Sequence, residues 1–85
     1  MKLWKISQEI NENWDTYDSA IVAARTDSEA KMIHPSGDQT NWAERIYSCS
    51  TWVQASELEH VKVEYLGTAK PGTKEGVILA SFNAG

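Results

Sequence analysis

Alternation of apolar and polar residues predicts a β-strand at the start of the chain. From Lys2 to Ser7, the apolar side chains of Trp4 and Ile6 fall on one face and Lys5 falls on the other. A period of two residues places successive side chains on opposite faces of a sheet. The segment is therefore expected to form a half-buried strand.

Two segments near the other end also have strand patterns. Val61–Leu66 alternates cleanly, and Val77–Phe82 is a short apolar run bounded by turn residues. Lys70–Gly76, which contains Pro-Gly, lies between them and is typical of a turn. We therefore expect these two strands to pair antiparallel with each other.

A buried strand followed by a short helix is predicted before the middle of the chain. Ser19–Arg25 is apolar on both faces, which favours a central strand. Thr26 and Glu29 have the spacing of a capping box, in which two side chains satisfy the free amides of a helix start. His34-Pro35 closes the helix after about two turns, because proline excludes the α conformation from the residue before it.

The remaining segments complete the predicted fold. Gln8–Asp18 is polar and predicts a long loop with four acidic residues and no base: Glu9, Glu12, Asp15 and Asp18. Trp42–Val53 is rich in β-branched and aromatic residues, which favours a fifth strand, and Ala55–Glu59 resembles one helical turn. The sequence thus predicts one α+β domain over 1–85: a four- or five-stranded, mainly antiparallel sheet with one short helix packed on a face, in a ββαββ-like order.

Composition narrows the functional class. Twelve acidic and eight basic residues give a net charge of −4, too acidic for a protein that binds nucleic acid directly through its phosphates. Cys49 is the single cysteine, so no intramolecular disulfide is expected. The first residues lack the apolar stretch of a signal peptide, and no segment approaches the roughly 20 apolar residues of a membrane span. These features predict a cytoplasmic protein that does not bind membranes.

No set of residues predicts catalysis. His34, His60 and Cys49 do not have the close spacing of zinc or iron ligands. Ser48-Cys49-Ser50 matches no nucleophile motif, and no glycine-rich segment precedes a helix that could cradle a phosphate. We therefore expect no catalytic residue, metal or cofactor, and a protein that is not an enzyme.

Aromatic side chains in polar segments are the better candidates for function. The chain has four tryptophans; Trp4 and Trp52 fit a core, whereas Trp14 and Trp42 lie among polar residues. A large ring in a polar loop either folds back or meets a partner, and Trp, Tyr and Arg are enriched at interface hot spots. The predicted partner-binding residues are Glu12, Trp14, Asp15, Tyr17, Trp42, Arg45 and Trp52.

The same rings leave a second interpretation open. Aromatic side chains also stack on nucleobases. Six bases are candidates for a phosphate site in an oligomer: Arg25, Lys31, Arg45, Lys62, Lys70 and Lys74. A pocket that sequesters a small nucleotide is therefore the alternative to a protein-binding surface.

Several segments resemble a group of small proteins encoded by bacteriophages and prophages. The resembling segments are Trp4–Gln8, Tyr17–Ala24, Ile33–Pro35, Val61–Gly67 and Gly76–Gly85. The resemblance implies a phage accessory protein that acts in the cytoplasm of the infected bacterium. Such proteins are commonly inhibitors of host defence, and the resemblance brings no catalytic residue with it.

Residues and resemblance together give the expected function. The chain is expected to be a non-enzymatic inhibitor that binds and occludes a bacterial immune protein through Gln8–Asp18 and Pro35–Trp52. The alternative is a sponge for a nucleotide immune signal. A homodimer or higher oligomer stays open, because self-association would add buried surface to a small domain.

Overall fold

The computed structural model describes residues 1–11, 15–36, 52–53 and 55–83. They form a four-stranded antiparallel sheet with one short α-helix, as the α+β prediction requires. The elements in chain order are β1 (Lys2–Ser7), β2 (Thr16–Ala24), α1 (Asp27–Lys31), a 3-10 helix (Ala55–His60), β3 (Lys62–Thr68) and β4 (Gly76–Asn83).

The order of strands in the sheet is β3-β1-β2-β4. The central position predicted for β2 is confirmed, but the predicted pairing of the two C-terminal strands is wrong. β3 pairs with β1, where Val63 lies opposite Ile6, and β4 pairs with β2, where Ala80 lies opposite Ala20. Since β1 and β2 form a hairpin with two open edges and apolar residues to cover, each edge takes one of the later strands.

Other boundaries also differ from those predicted. β2 begins at Thr16, so the last part of the predicted loop Gln8–Asp18 belongs to a strand. The fifth strand predicted over Trp42–Val53 falls almost wholly outside the described residues. Its described end, Trp52 and Val53, lies outside the strands. Ala55–His60 is helical as predicted, but as a 3-10 helix.

The capping of α1 follows the sequence closely. The Thr26 hydroxyl accepts a hydrogen bond from the Glu29 amide at 3.2 Å, as the capping box predicts. The Glu29 carboxylate reaches the amide of Arg25 at 3.4 Å, one residue before the cap. The helix ends at Lys31, earlier than predicted, where the Met32 amide bonds back to Glu29 in the tighter 3-10 manner.

The core lies between α1 and one face of the sheet. One row of cross-strand neighbours on this face runs Val63, Ile6, Ala20 and Ala80. The helix places Ala30 against it, and Trp52 and Val53 are fully buried in the same cluster. On the opposite face, the equivalent row runs Glu64, Lys5, Ile21 and Leu79. β2 therefore carries apolar side chains on both faces of the sheet.

Candidate functional site

A buried glutamine shapes the loop between β1 and β2. The Gln8 side-chain oxygen accepts from the amides of Ile10 at 2.9 Å and Asn11 at 2.7 Å. Its side-chain nitrogen donates to the carbonyls of Asn11 at 2.7 Å and Tyr17 at 3.0 Å. We call these four hydrogen bonds the Gln8 clamp. The clamp holds Gln8–Asn11, the described start of the loop, against the start of β2, so this segment is positioned before any partner arrives.

A second contact anchors this loop to the core. The Asn11 side-chain amide donates to the carbonyl of Trp52 at 3.0 Å. Trp52 is fully buried, so the acceptor belongs to a residue of the hydrophobic core. Gln8–Asn11 is thus held at one end by the Gln8 clamp and at the other by the hydrogen bond from Asn11 to Trp52.

The last described residue before β2 has an unusual backbone. Asp15 adopts φ 60, the left-handed region, and its side chain is exposed. Aspartate tolerates this conformation better than most residues, because its short polar side chain bonds to nearby backbone. A carboxylate is therefore presented to solvent directly beside the start of β2.

Two aromatic rings meet at the same end of the sheet. Tyr17 lies opposite Phe82 in the β2–β4 pairing, and their ring centroids are 4.8 Å apart in an edge-to-face arrangement. Tyr17 also meets the buried His34 ring edge-to-face at 6.4 Å. Tyr17 is half-buried, whereas Phe82 is 45% exposed. Ile10, Asp15, Tyr17 and Phe82 all lie at the end of the sheet where β1 connects to β2, and we call this group of residues the loop-end surface.

The loop-end surface contains two residues that the sequence did not indicate. Phe82 reaches it because β4 pairs with β2, a long-range pairing that the sequence did not predict. Ile10 is exposed in the first loop, and its amide is held by the Gln8 clamp. Of the predicted residues, Asp15 and Tyr17 are brought together here. Glu12, Trp14, Trp42 and Arg45 lie outside the described residues.

Trp52 requires a correction as a predicted partner-binding residue. Its side chain is 0% exposed and packs in the core with Ile6 and Val22. A ring buried to this degree has no surface to offer a partner in this conformation. Its Nε1 atom is buried and has no hydrogen-bond partner among the described residues.

The pocket beside α1 contains one of the bases predicted for a phosphate site, Lys31. The pocket beside α1 is lined by Asp27, Ser28, Lys31, Val61 and Val63, which supply one lysine, one aspartate and no ring. Lys62 is exposed and forms a 3.4 Å ion pair with the exposed Glu9. In the part of the chain that is described, no cluster of three His, Cys, Asp or Glu residues has metal-binding geometry.

Comparison with known proteins adds no assignment. No protein-family model, no curated protein and no solved structure matches this chain. None of the helices in the described ranges has the length and apolar character needed to cross a bilayer. The geometry of the loop-end surface is therefore the main structural guide to function.

Proposed function

We propose that this chain is a non-enzymatic inhibitor of a bacterial antiphage defence system, and that it binds and occludes an immune protein through the loop-end surface. The observation that carries the binding role is the exposed Phe82 ring seated on Tyr17 beside the Gln8 clamp. The antiphage context comes from the sequence resemblance to phage and prophage proteins.

The arrangement suits recognition of a protein surface. Aromatic anchors give large contact area at low cost in side-chain entropy, particularly when their rotamers are already fixed by a neighbour. The Phe82 ring packs edge-to-face with Tyr17, and Tyr17 packs edge-to-face with His34. Asp15 adds a carboxylate at the rim, which would steer the surface toward a basic patch on the partner.

The groups on the loop-end surface suit binding rather than catalysis. The loop-end surface has one exposed carboxylate and two rings, and these groups bind a partner without a bond-making step. Inhibition by occlusion needs only that the bound chain covers a functional surface of the immune protein. It requires no cofactor or metal.

A phage-plating assay tests the proposal. The chain is expressed in bacteria that each carry one antiphage defence system, and the efficiency of phage plating is measured. We expect plating to recover with at least one system, and the purified chain to bind a protein of that system. Phe82→Ala should weaken that binding about tenfold or more, as expected for a hot-spot aromatic.

Leu66→Ala is the matched control. Leu66 is 46% exposed, nearly the same as Phe82, but it lies on β3 at the other edge of the sheet. Equal binding by Phe82→Ala and wild type would contradict the loop-end surface as the interface.

The nucleotide sponge is tested on the same purified chain. A thermal shift panel of cyclic dinucleotides, cyclic oligonucleotides and ADP-ribose derivatives should leave the melting temperature unchanged if the target is a protein. A rise of many degrees with one nucleotide would replace occlusion with sequestration, because a ligand stabilises the native state by mass action.

A further inference from the structure

The strand β4 lies at one edge of the sheet and carries no protective charge. Gly76–Asn83 contains no Asp, Glu, Lys, Arg or Pro. An edge strand presents unpaired main-chain N–H and C=O groups, and proteins usually block such edges with charges, proline or a cover. Within the described residues, β4 is paired on one side only, with β2.

The opposite edge of the same sheet is protected. β3 exposes Lys62 and Glu64, and the register with β1 is interrupted by an irregularity between Leu3 and Trp4. Gly67, beside this irregularity, has φ 148. Irregularities of register also occur in the β2–β4 ladder, between Tyr17 and Ser19 and between Ile21 and Val22. The two edges therefore differ in charge, which is a usual means of preventing edge-to-edge pairing.

The uncharged edge also exposes large apolar side chains. Ile78 is 53% exposed and Leu79 is 68% exposed, the highest value among the large apolar residues of the described chain. Leu79 ends the row Lys5, Ile21 and Leu79 on the face opposite α1. A further strand beside β4 would continue this row and cover Leu79.

We propose that β4 pairs antiparallel with β4 of a second copy of this chain, which joins two four-stranded sheets into one continuous sheet. This proposal goes beyond the proposed function. The seam runs along the main-chain edge of β4, which includes Phe82 of the loop-end surface, but its test variant is at Leu79, outside that surface.

A second copy is favoured by charge and symmetry. None of the acidic residues behind the net charge of −4 lies in β4, so a two-fold seam brings no like charges into contact. With the two-fold axis near Leu79 and Ala80, the two Leu79 side chains lie close together on one face. An antiparallel seam between identical strands is isologous, so each copy supplies the same complementary surface.

The expected dimer is weak. A strand of eight residues is about 27 Å long, and pairing one edge buries less than the roughly 800 Å² per partner of a standard interface. We therefore expect a dissociation constant in the micromolar range and rapid exchange between monomer and dimer.

Sedimentation of the full chain over a micromolar-to-millimolar concentration series tests the seam. The average mass should rise from 9.5 kDa toward twice that value. Leu79→Lys should raise the dissociation constant about tenfold or more, because a lysine on an edge strand opposes pairing. Leu66→Lys introduces the same charge at another exposed leucine, on β3 at the opposite edge, and should leave the constant unchanged.

Hydrogen exchange supplies a measurement that does not rely on a substitution. Amides of β4 that point away from β2 should become more protected as the wild-type concentration rises. Circular dichroism establishes that both lysine variants fold. A chain that stays monomeric throughout, a dimer that survives Leu79→Lys, or equal weakening by Leu66→Lys would each overturn the proposal.

Discussion

The side-chain amide of Gln8 donates a hydrogen bond to the carbonyl of Tyr17 at 3.0 Å, which joins the two ends of the β1–β2 loop through one buried side chain. The same side chain accepts from the amides of Ile10 and Asn11. One side chain therefore positions both Gln8–Asn11 and Tyr17 of the loop-end surface.

Gln8→Ala should destabilise the protein strongly. The substitution removes four hydrogen bonds to partly buried main-chain groups, and each such bond contributes about 0.5–1.5 kcal/mol. We expect the free energy of unfolding to fall by about 2–4 kcal/mol, a large part of the stability of a small domain. Urea denaturation followed by circular dichroism measures this change.

The neighbouring residue provides the control. Glu9 is exposed, and its described contact is the 3.4 Å ion pair with Lys62. Exposed pairs of this kind contribute little, so Glu9→Ala should change the free energy of unfolding by less than about 1 kcal/mol. Similar losses for Gln8→Ala and Glu9→Ala would mean that the Gln8 clamp does not hold the loop in solution.

The sequence predicts where the strands and the helix lie better than it predicts which strands pair with each other. Strand alternation and the Thr26 cap depend on neighbouring residues, and the structure contains both. The pairing of β4 with β2 depends on residues more than fifty positions apart, and no local pattern specifies it. The same local pattern is also compatible with the predicted hairpin between β3 and β4, which the structure does not contain.

The candidate site also combines residues that local sequence indicates with residues that only long-range pairing brings in. Asp15 and Tyr17 could be proposed from a long acidic loop, but Phe82 enters only through the β2–β4 register. Gln8 stands in a polar run, where it resembles a solvated loop residue. Its burial follows from four hydrogen bonds to the main chain, which composition does not reveal.

At the start of α1, Thr26 should contribute more to the free energy of unfolding than Glu29, its partner in the capping box. Thr26→Ala removes the acceptor of the Glu29 amide, and loss of such a cap costs about 1 kcal/mol. Glu29→Ala removes an exposed 3.4 Å contact to the Arg25 amide and should cost only a few tenths of a kcal/mol. Urea midpoints of the two variants, with Thr26→Ser as the conservative control, test this order. A larger loss for Glu29→Ala would reverse it.

For Trp4 and Trp52, we expect the loss of stability on substitution by Phe to be larger at the less buried residue. The Trp4 indole N–H donates to the Ala24 carbonyl at 3.0 Å, whereas the buried Trp52 Nε1 has no partner among the described residues. Trp4→Phe should therefore cost about 1–2 kcal/mol through the lost hydrogen bond and ring area. In Trp52→Phe, removal of an unsatisfied N–H offsets the cavity, and we expect a net change within about 1 kcal/mol.

Denaturation of both variants under the same conditions decides between these expectations. If Trp52→Phe is clearly the more destabilising, the Trp52 N–H is paired in solution and burial determines the ranking.

Asp15 should act on the rate of association with the immune protein identified by the plating assay. Its exposed carboxylate attracts a basic partner over a distance of about one Debye length, so Asp15→Lys should lower the association rate several-fold at low salt. The dissociation rate should change much less, because a rim charge contributes little to the bound state. Reversal of Glu12 together with Asp15 should enlarge the effect. Stopped-flow or surface-based kinetics at several salt concentrations measure both rates.

Glu64→Lys is the matched variant for this test. It changes the net charge by the same amount at an exposed position on β3, away from the loop-end surface. If steering comes from the first loop, Asp15→Lys flattens the salt dependence of the association rate and Glu64→Lys changes it less. Equal effects of the two reversals would assign the attraction to the overall charge of −4, and the acidic loop would lose its role in guiding the partner.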